Sequence, residues 1–356
     1  MLLSLVVVLG LFGLAPISAF VRAVGGGPGP ATGGGREPGR GDVTAKWFGV
    51  SIAGGEFGEA SLPGIRGTDY VYPADQARSA YFASKGLTLA RLPVRWERVQ
   101  RAPLTPLDAG DLSAVRAALD AAHSGGQRVI VDLHNFGRYY GRPLGRDDAT
   151  AFADVWERLA VELRNHPAIF GYELMNEPHD LPDGSNGWAQ LAQEATTAIR
   201  KHDMSHWILV PGYHWQTAHL WPENNLSLEV RDPAGRLLYA AHQYFDANFS
   251  GRYRRGYDQE GATATVGVER LRPFLDWLAI RKARGILTEY GVPDTDPRWL
   301  EVLDRFLATL QSSAAIEGGL YWAAGPWWHD DPLAIEPRNG LDRPQMAVLS
   351  NYQSTR

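Results

Sequence analysis

From about residue 43 onward, eight short β-branched or aromatic runs alternate with longer stretches of helical periodicity, and this rhythm constrains the fold more than any other feature. The expected strands are Trp47–Ile52, Leu87–Pro93, Arg128–His134, Ile169–Asn176, Trp207–Pro211, Leu237–Gln243, Gly285–Glu289 and Gly318–Ala323. Between them lie amphipathic segments at Asp75–Lys85, Leu112–Ser124, Ala149–Asn165, Trp188–His202, Val266–Lys282 and Arg298–Ser312. Val129-Ile-Val-Asp-Leu133 is apolar on both sides of the chain, as a strand buried on both faces must be. Eight βα units in about 300 residues predict an α/β protein, a single-domain (β/α)8 TIM barrel. The fifth helix is expected to be short or replaced by loop, because 213–236 carries prolines, aromatics and asparagines. An open doubly wound sheet is the rival, but its phosphate turn is missing: Gly54-Gly-Glu-Phe-Gly58 has the wrong spacing.

The N-terminus follows different rules. Residues 1–14 are apolar and Ala15-Pro-Ile-Ser-Ala19 resembles a signal peptidase site, so residues 1–23 read as a signal peptide or an uncleaved N-terminal anchor. Residues 24–42 are a Gly/Pro-rich linker whose composition cannot offset the entropy of ordering, leaving 43–356 as the folded domain. A secreted or cell-envelope location, periplasmic in a bacterium, follows from that reading. The net charge of −5 comes without a long run of either sign, which argues against a nucleic-acid partner. Cysteine is absent, excluding disulfides and thiolate chemistry.

Active sites of (β/α)8 barrels sit at the C-terminal strand ends, and here those ends are polar. Strand two carries Arg91, strand three Asp132, His134 and Asn135, strand four Asn176 and Glu177. Strand six carries His242 and Tyr244, strand seven Glu289, and strand eight Tyr321 and Trp322. One buried polar residue is commonly structural, but six strand ends bearing them is a costly pattern without a function. Glu177 and Glu289 each close an apolar run, Ile169-Phe-Gly-Tyr-Glu-Leu-Met-Asn-Glu-Pro178 and Gly285-Ile-Leu-Thr-Glu-Tyr-Gly291. Two such carboxylates, one protonated and one ionised, are what glycoside hydrolysis needs.

The segments Leu89-Ala-Arg-Leu-Pro-Val94, Val131-Asp-Leu-His-Asn135, Glu173-Leu-Met-Asn-Glu-Pro178, His242-Gln-Tyr244, Thr288-Glu-Tyr-Gly291 and Tyr321-Trp322 resemble, in order, the signature blocks of glycoside hydrolase family five, the cellulase family of clan A. The resemblance implies Glu177 as acid/base and Glu289 as nucleophile. It implies Asn176 on the 2-hydroxyl of the −1 sugar, and Arg91 and Tyr244 flanking the nucleophile, the guanidinium lowering its pKa. His134 and His242 would line the subsite, with Trp322 as the platform beneath the sugar. The implied activity is retaining hydrolysis of β-linked glucan, foremost β-1,4 in the endoglucanase manner. Mannan, xyloglucan, β-1,3-glucan and exo-acting specificities remain open, and a non-catalytic carbohydrate binder is the remote alternative. No cofactor and no metal site are expected, the partner is a β-linked polysaccharide or oligosaccharide, and a monomer is the expected state.

Loop aromatics Trp215, Trp327, Trp328, Phe136, Tyr139 and Tyr140 could stack against sugar rings or pack ordinarily. Glu56 and His214 are weaker substrate contacts. His202 and His206 stand four apart but lack the glutamate of a His-Glu-x-x-His site. Asn225-Leu-Ser and Asn248-Phe-Ser fit the glycosylation sequon.

Overall fold

A computed structural model describes residues 46–355. The expected leader (1–23) and linker (24–42) lie outside the described residues. Among the latter, eight parallel strands close into a barrel in sequence order: β1 Trp47–Ile52, β2 Leu89–Val94, β3 Arg128–Leu133, β4 Ile169–Glu173, β5 Trp207–Pro211, β6 Leu237–His242, β7 Gly285–Tyr290 and β8 Ile316–Ala324. A helix follows each strand: α1 Gln76–Ser84, α2 Ala109–Ser124, α3 Ala149–Leu163, α4 Gly184–Arg200, α5 Trp221–Asn224, α6 Val266–Arg281, α7 Arg298–Ser312 and α8 Pro344–Leu349. The four-residue α5 is the short fifth helix expected from the irregular sequence before it.

Two helices start where local chemistry requires. The Asp75 side chain accepts hydrogen bonds from the backbone N–H groups of Ala77 and Arg78, and Asp108 accepts one from Asp111, so each aspartate caps the helix that follows. In α3, Phe152, Val155, Trp156, Leu159, Ala160 and Leu163 form one buried stripe, and α7 repeats the pattern with Trp299, Val302, Leu303, Phe306, Leu307 and Leu310. The β4 strand ends three residues earlier than expected. Leu174 N–H donates to Leu209 on one side and Asn176 N–H to Leu133 on the other, so the chain steps out of the ladder after Glu173.

The barrel interior has two layers. Leu89, Ile130, Phe170, Leu209, Leu238, Ala240, Ile286 and Leu320 form a closed apolar plug, each at most 1% exposed. Residues two positions further along share the inward face of their strands. That rule places Arg91 after Leu89, Asp132 after Ile130, His242 after Ala240 and Thr288 after Ile286. Register aligns the layer: Asp132 pairs with Glu173 across β3 and β4, and His242 pairs with Glu289 across β6 and β7. A water-excluding hydrocarbon floor therefore sits directly below a ring of charged groups.

Two helices are pinned to the strand ends that carry the site. The buried indole of Trp156 donates to the Leu174 carbonyl at 3.1 Å and that of Trp188 to the Pro211 carbonyl at 2.7 Å. At the opposite end, Gly318 pairs with Trp47 at φ 152°, where a β-carbon would lie 1.8 Å from the Trp47 carbonyl oxygen. Only glycine lets β8 approach β1 closely enough to close the barrel.

Candidate active site

Arg91 is completely buried and grips its surroundings with every arm of its guanidinium. Nε donates to Glu173 at 2.6 Å, Nη1 to Glu289 at 2.6 Å, and Nη2 to Asn176 at 2.8 Å and Asp132 at 3.0 Å. Burial alone would lower its pKa, but the carboxylates of Asp132, Glu173 and Glu289 outweigh it and raise the pKa further above the ordinary arginine value. The charge is permanent. Because Asn176 Oδ1 is committed to Arg91, its Nδ2 is left as the donor free to meet a ligand.

Glu289 accepts a second hydrogen bond from the Tyr244 hydroxyl at 2.9 Å. Glu177 stands opposite. One oxygen from each carboxyl and a nitrogen of His242 all lie within 4.8 Å of one another. Glu177 Oε1 meets His242 Nδ1 at 2.8 Å, while Glu289 Oε2 is 3.4 Å from the same nitrogen. His134 is anchored by Asp132 at 2.8 Å, and its ring stacks over Trp322 at 5.5 Å between centroids. Burial holds both histidines neutral, His134 aided by Arg91 and Arg95, His242 by Arg91 and His134.

Burial raises both members of the carboxyl pair. Glu177 is driven well above the usual carboxylate range, first by desolvation and then by the charge of Glu289. Glu289 is pushed up to about 7 by desolvation, with Arg91 and Tyr244 pulling it back. Arg91 lowers the Glu289 pKa, as expected, but burial outweighs it. The guanidinium does pull downward, but it divides one charge among three buried carboxylates and cannot cancel the loss of water. The order survives, since Glu289 loses its proton before Glu177.

The backbone around the site is strained. Glu177 has φ 42°, and His214, Trp215 and Gln216 form a consecutive left-handed run at φ 63°, 59° and 57°. Such residues each cost about 1–3 kcal/mol and persist only where surrounding bonds impose them. Here His214 N–H donates to the Pro178 carbonyl and His242 N–H to that of Gln216, tying the loop after β5 to the loop after β4 and to β6. The run tucks the Gln216 side chain beneath Glu177 and lifts Trp215 onto the surface, 44% exposed and stacked on His179.

Two cavities flank the carboxyl pair. One, of about 700 Å³, is lined by Glu177, His242, Tyr244, Trp215, Phe136 and His214 among others. The second, of about 370 Å³, is bordered by Trp322, Trp328 and Tyr253. Tyr244, Ser250 and Arg252 belong to both, so the two form one groove crossing the barrel mouth.

Several expected contacts stand elsewhere. Asn135 is buried and its amide is engaged, accepting from Trp96 N–H and donating to Glu97, so it braces the short helix Trp96–Val99. Trp327 stacks on Phe57 at 5.8 Å, while its neighbour Trp328 borders the smaller cavity. Glu56 is buried, with Oε2 accepting from Gly54 N–H. His202 and His206 bond separately to Glu157 and Asp203. Asn225 is buried and holds Tyr213 N–H, so its sequon is closed in the folded chain. Among the described residues, the one cluster with three metal-ligand donors is Glu177, His242 and Glu289, where the Arg91 charge opposes a cation.

Sequence reasoning passed over Glu173, Gln216 and Thr288, all completely buried and all bonded within the site. Glu173 carried a readable signal: a carboxylate inside the apolar run Ile169-Phe-Gly-Tyr-Glu-Leu-Met175 must have partners. Gln216 lies in an irregular loop, and threonine is unremarkable in a strand.

Comparisons with known proteins agree with this fold. The family described as cellulase (glycosyl hydrolase family 5) matches residues 43–324, and the chain belongs to that family. An endo-beta-1,4-glucanase B from Emericella nidulans is 31% identical over 297 residues, covering 83% of this chain and 87% of the relative. Among solved structures, Pseudomonas stutzeri endoglucanase Cel5A in complex with cellobiose superposes with a TM-score of 0.81 at 41% identity, covering 86% of this chain and 92% of that one. An endo-beta-1,4-glucanase from Xanthomonas axonopodis pv. citri gives 0.80 at 38% identity, over 86% and 98%.

The raised carboxyl pKa values have a thermodynamic consequence. Glu56 and Asp132, like Glu289, are pushed up to about 7 mainly by desolvation, from ordinary values of 4.5 and 3.8. The folded protein holds these protons more tightly than the unfolded chain does. The resulting stabilisation is fully present below the unfolded pKa values and is lost as pH rises through about 7. Thermal unfolding midpoints should therefore fall between about pH 4.5 and 7, and Glu56→Gln should flatten that slope. Midpoints rising across this window in the wild type would contradict the burial account.

Proposed function

We propose that the chain is a retaining endo-β-1,4-glucanase in which Glu289 is the nucleophile and Glu177 the acid/base. The observation that carries this reading is the carboxyl pair: oxygens within 4.8 Å, one carboxyl held by Arg91 and Tyr244, the other facing a neutral imidazole. Retaining glycosidases place their carboxyl groups about 5–5.5 Å apart, whereas inverting enzymes need about 6.5–9.5 Å to admit a water. The short separation supports retention.

In the first step a Glu289 oxygen attacks the anomeric carbon, while Glu177 gives its proton to the departing glycosidic oxygen. Bond breaking leaves a glycosyl ester on Glu289 and a carboxylate on Glu177. In the second step that carboxylate takes a proton from water, whose oxygen attacks the anomeric carbon and releases Glu289. Arg91 and Tyr244 hold the leaving carboxylate, and the free Nδ2 of Asn176 suits the 2-hydroxyl of the sugar undergoing reaction. Trp322 offers a face for that sugar, and Trp215 one for a sugar on the leaving-group side. His134 braces the Trp322 ring.

The groove continues on both sides of the pair, a shape suited to a polymer crossing the barrel mouth rather than to a chain end entering a pocket. The names of the relatives direct the proposal to β-1,4-glucan. A polymer substrate also fits an exported protein, with residues 1–23 as leader or anchor and 24–42 as tether.

Product analysis on carboxymethyl cellulose, lichenan, mannan, xyloglucan and cello-oligosaccharides is the direct test of specificity. Rapid viscosity loss of carboxymethyl cellulose with internal cleavage of cello-oligosaccharides is expected; activity confined to mannan would refute the assignment. Variants test the roles. Glu289→Gly should abolish turnover on every substrate. Glu177→Ala should slow cleavage of cello-oligosaccharides by about 10²–10⁴-fold, yet form the glycosyl-enzyme from a dinitrophenyl cellobioside almost normally, because that leaving group needs no proton. Equal losses on both substrates would remove Glu177 from the acid role.

A further inference from the structure

The groups behind the carboxyl pair form a hydrogen-bond chain whose direction is fixed at one end. The backbone N–H of Glu177 can only donate, and it donates to Gln216 Oε1 at 2.8 Å. That bond orients the Gln216 amide, so Nε2 faces Glu173 Oε1 at 2.9 Å and the Ala240 carbonyl at 3.1 Å. The other Glu173 oxygen accepts from Arg91 Nε, which cannot lose its proton. Burial raises the Glu173 pKa above the ordinary carboxylate value, and against that pull Arg91 and the ring of donors favour the ionised form.

Thr288 Oγ1 lies 2.7 Å from Glu173 Oε1 and 3.1 Å from His242 Nε2. Its single proton goes to the carboxylate, so toward His242 the hydroxyl oxygen can only accept. Nε2 must then carry the imidazole proton. A neutral imidazole has one N–H, which leaves a bare lone pair on Nδ1, 2.8 Å from Glu177 Oε1. That contact is a hydrogen bond only when Glu177 is protonated. The buried ring is held in this orientation by contacts at both nitrogens, while backbone bonds to Gln216 and Ala218 fix the strand end that carries it.

We propose that Glu173 and Thr288 are positioning residues that lock His242 in its Nε2–H tautomer, so that the Nδ1 lone pair accepts from protonated Glu177 and opposes its carboxylate. The inference rests on the acid/base role proposed for Glu177 and extends it to groups that never touch the sugar. It also explains how one residue serves as acid and then base. Once Glu177 has given its proton away, its Oε1 faces a lone pair at hydrogen-bond distance, and taking a proton from water restores the bond.

Every element around the ring contributes. Glu177 faces it from the loop after β4, with Glu173 behind Thr288 on β4 itself. Glu289 lies on β7 at 3.4 Å, Gln216 beneath the β5 loop, Arg91 on β2 and His134 on β3. Burial first, and then the charge of Arg91, oppose protonation of the imidazole.

Neutron diffraction of the wild-type protein, exchanged into D2O at its pH of maximal activity, reads the chain directly. Expected are deuterium on His242 Nε2, on Thr288 Oγ1 directed at Glu173, and on Glu177 Oε1, with His242 Nδ1 bare. Deuterium on Nδ1 instead would overturn the proposal whatever the kinetics. In solution, Thr288→Val removes the relay, and the basic limb of the kcat/KM profile should move down by roughly half to one pH unit, the scale of one net hydrogen bond. The acid limb should stay in place, and Thr288→Ser should restore the wild-type profile. A Thr288→Val enzyme with an unmoved basic limb would also overturn the proposal. Failure of the Glu177 assignment would show elsewhere, in Glu177→Ala cleaving cello-oligosaccharides at the wild-type rate, and the neutron map does not depend on that result.

Discussion

Arg91 offers one positive charge to three buried carboxylates, and the rest of the site is arranged around that shortage. Asp132, Glu173 and Glu289 all touch the guanidinium, and Glu177 stands just beyond. Four acids cannot all ionise around one guanidinium in contact, even with Arg95 acting at a distance, above a hydrocarbon plug, so some must keep their protons. Local donors decide which. Glu173, facing Arg91, Gln216 and Thr288, is built to be ionised, whereas Glu177, facing a bare imidazole nitrogen, is built to hold a proton.

The fold supports that distribution at a cost it must recover elsewhere. A buried ion cluster adds little net stability, and the left-handed residues at 177 and 214–216 oppose folding further. The apolar plug, the helix stripes and the indole bonds from Trp156 and Trp188 offset them. Strain and charge are concentrated at the C-terminal strand ends, and the well-packed helix–sheet layer surrounds them.

Much of this was legible in the sequence because it depended on periodicity. The eight strands and their order follow from runs of apolar residues, and the inward positions of Arg91, Asp132 and His242 follow from the two-residue repeat of a strand. The limits of legibility are equally physical. Whether Asn135 or Trp328 borders the groove depends on loop geometry, which no repeat encodes, and Asn135 proved to brace a helix while Trp327 packed on Phe57. Gln216 reaches Glu177 only through three consecutive left-handed residues, a backbone path no local propensity favours. The downward pull of Arg91 on Glu289 was legible, but the burial that outweighs it and the two other carboxylates sharing the guanidinium were not.

The central claim is that the close carboxyl pair works by double displacement, with one member binding the sugar covalently. The most direct measurement is proton NMR of a cello-oligosaccharide hydrolysis, following the anomeric signal of the first product before mutarotation. Double displacement predicts that the β-anomer appears first and decays to the equilibrium mixture. Initial appearance of the α-anomer would mean inversion, and would contradict Glu289 as nucleophile and Glu177 as acid/base.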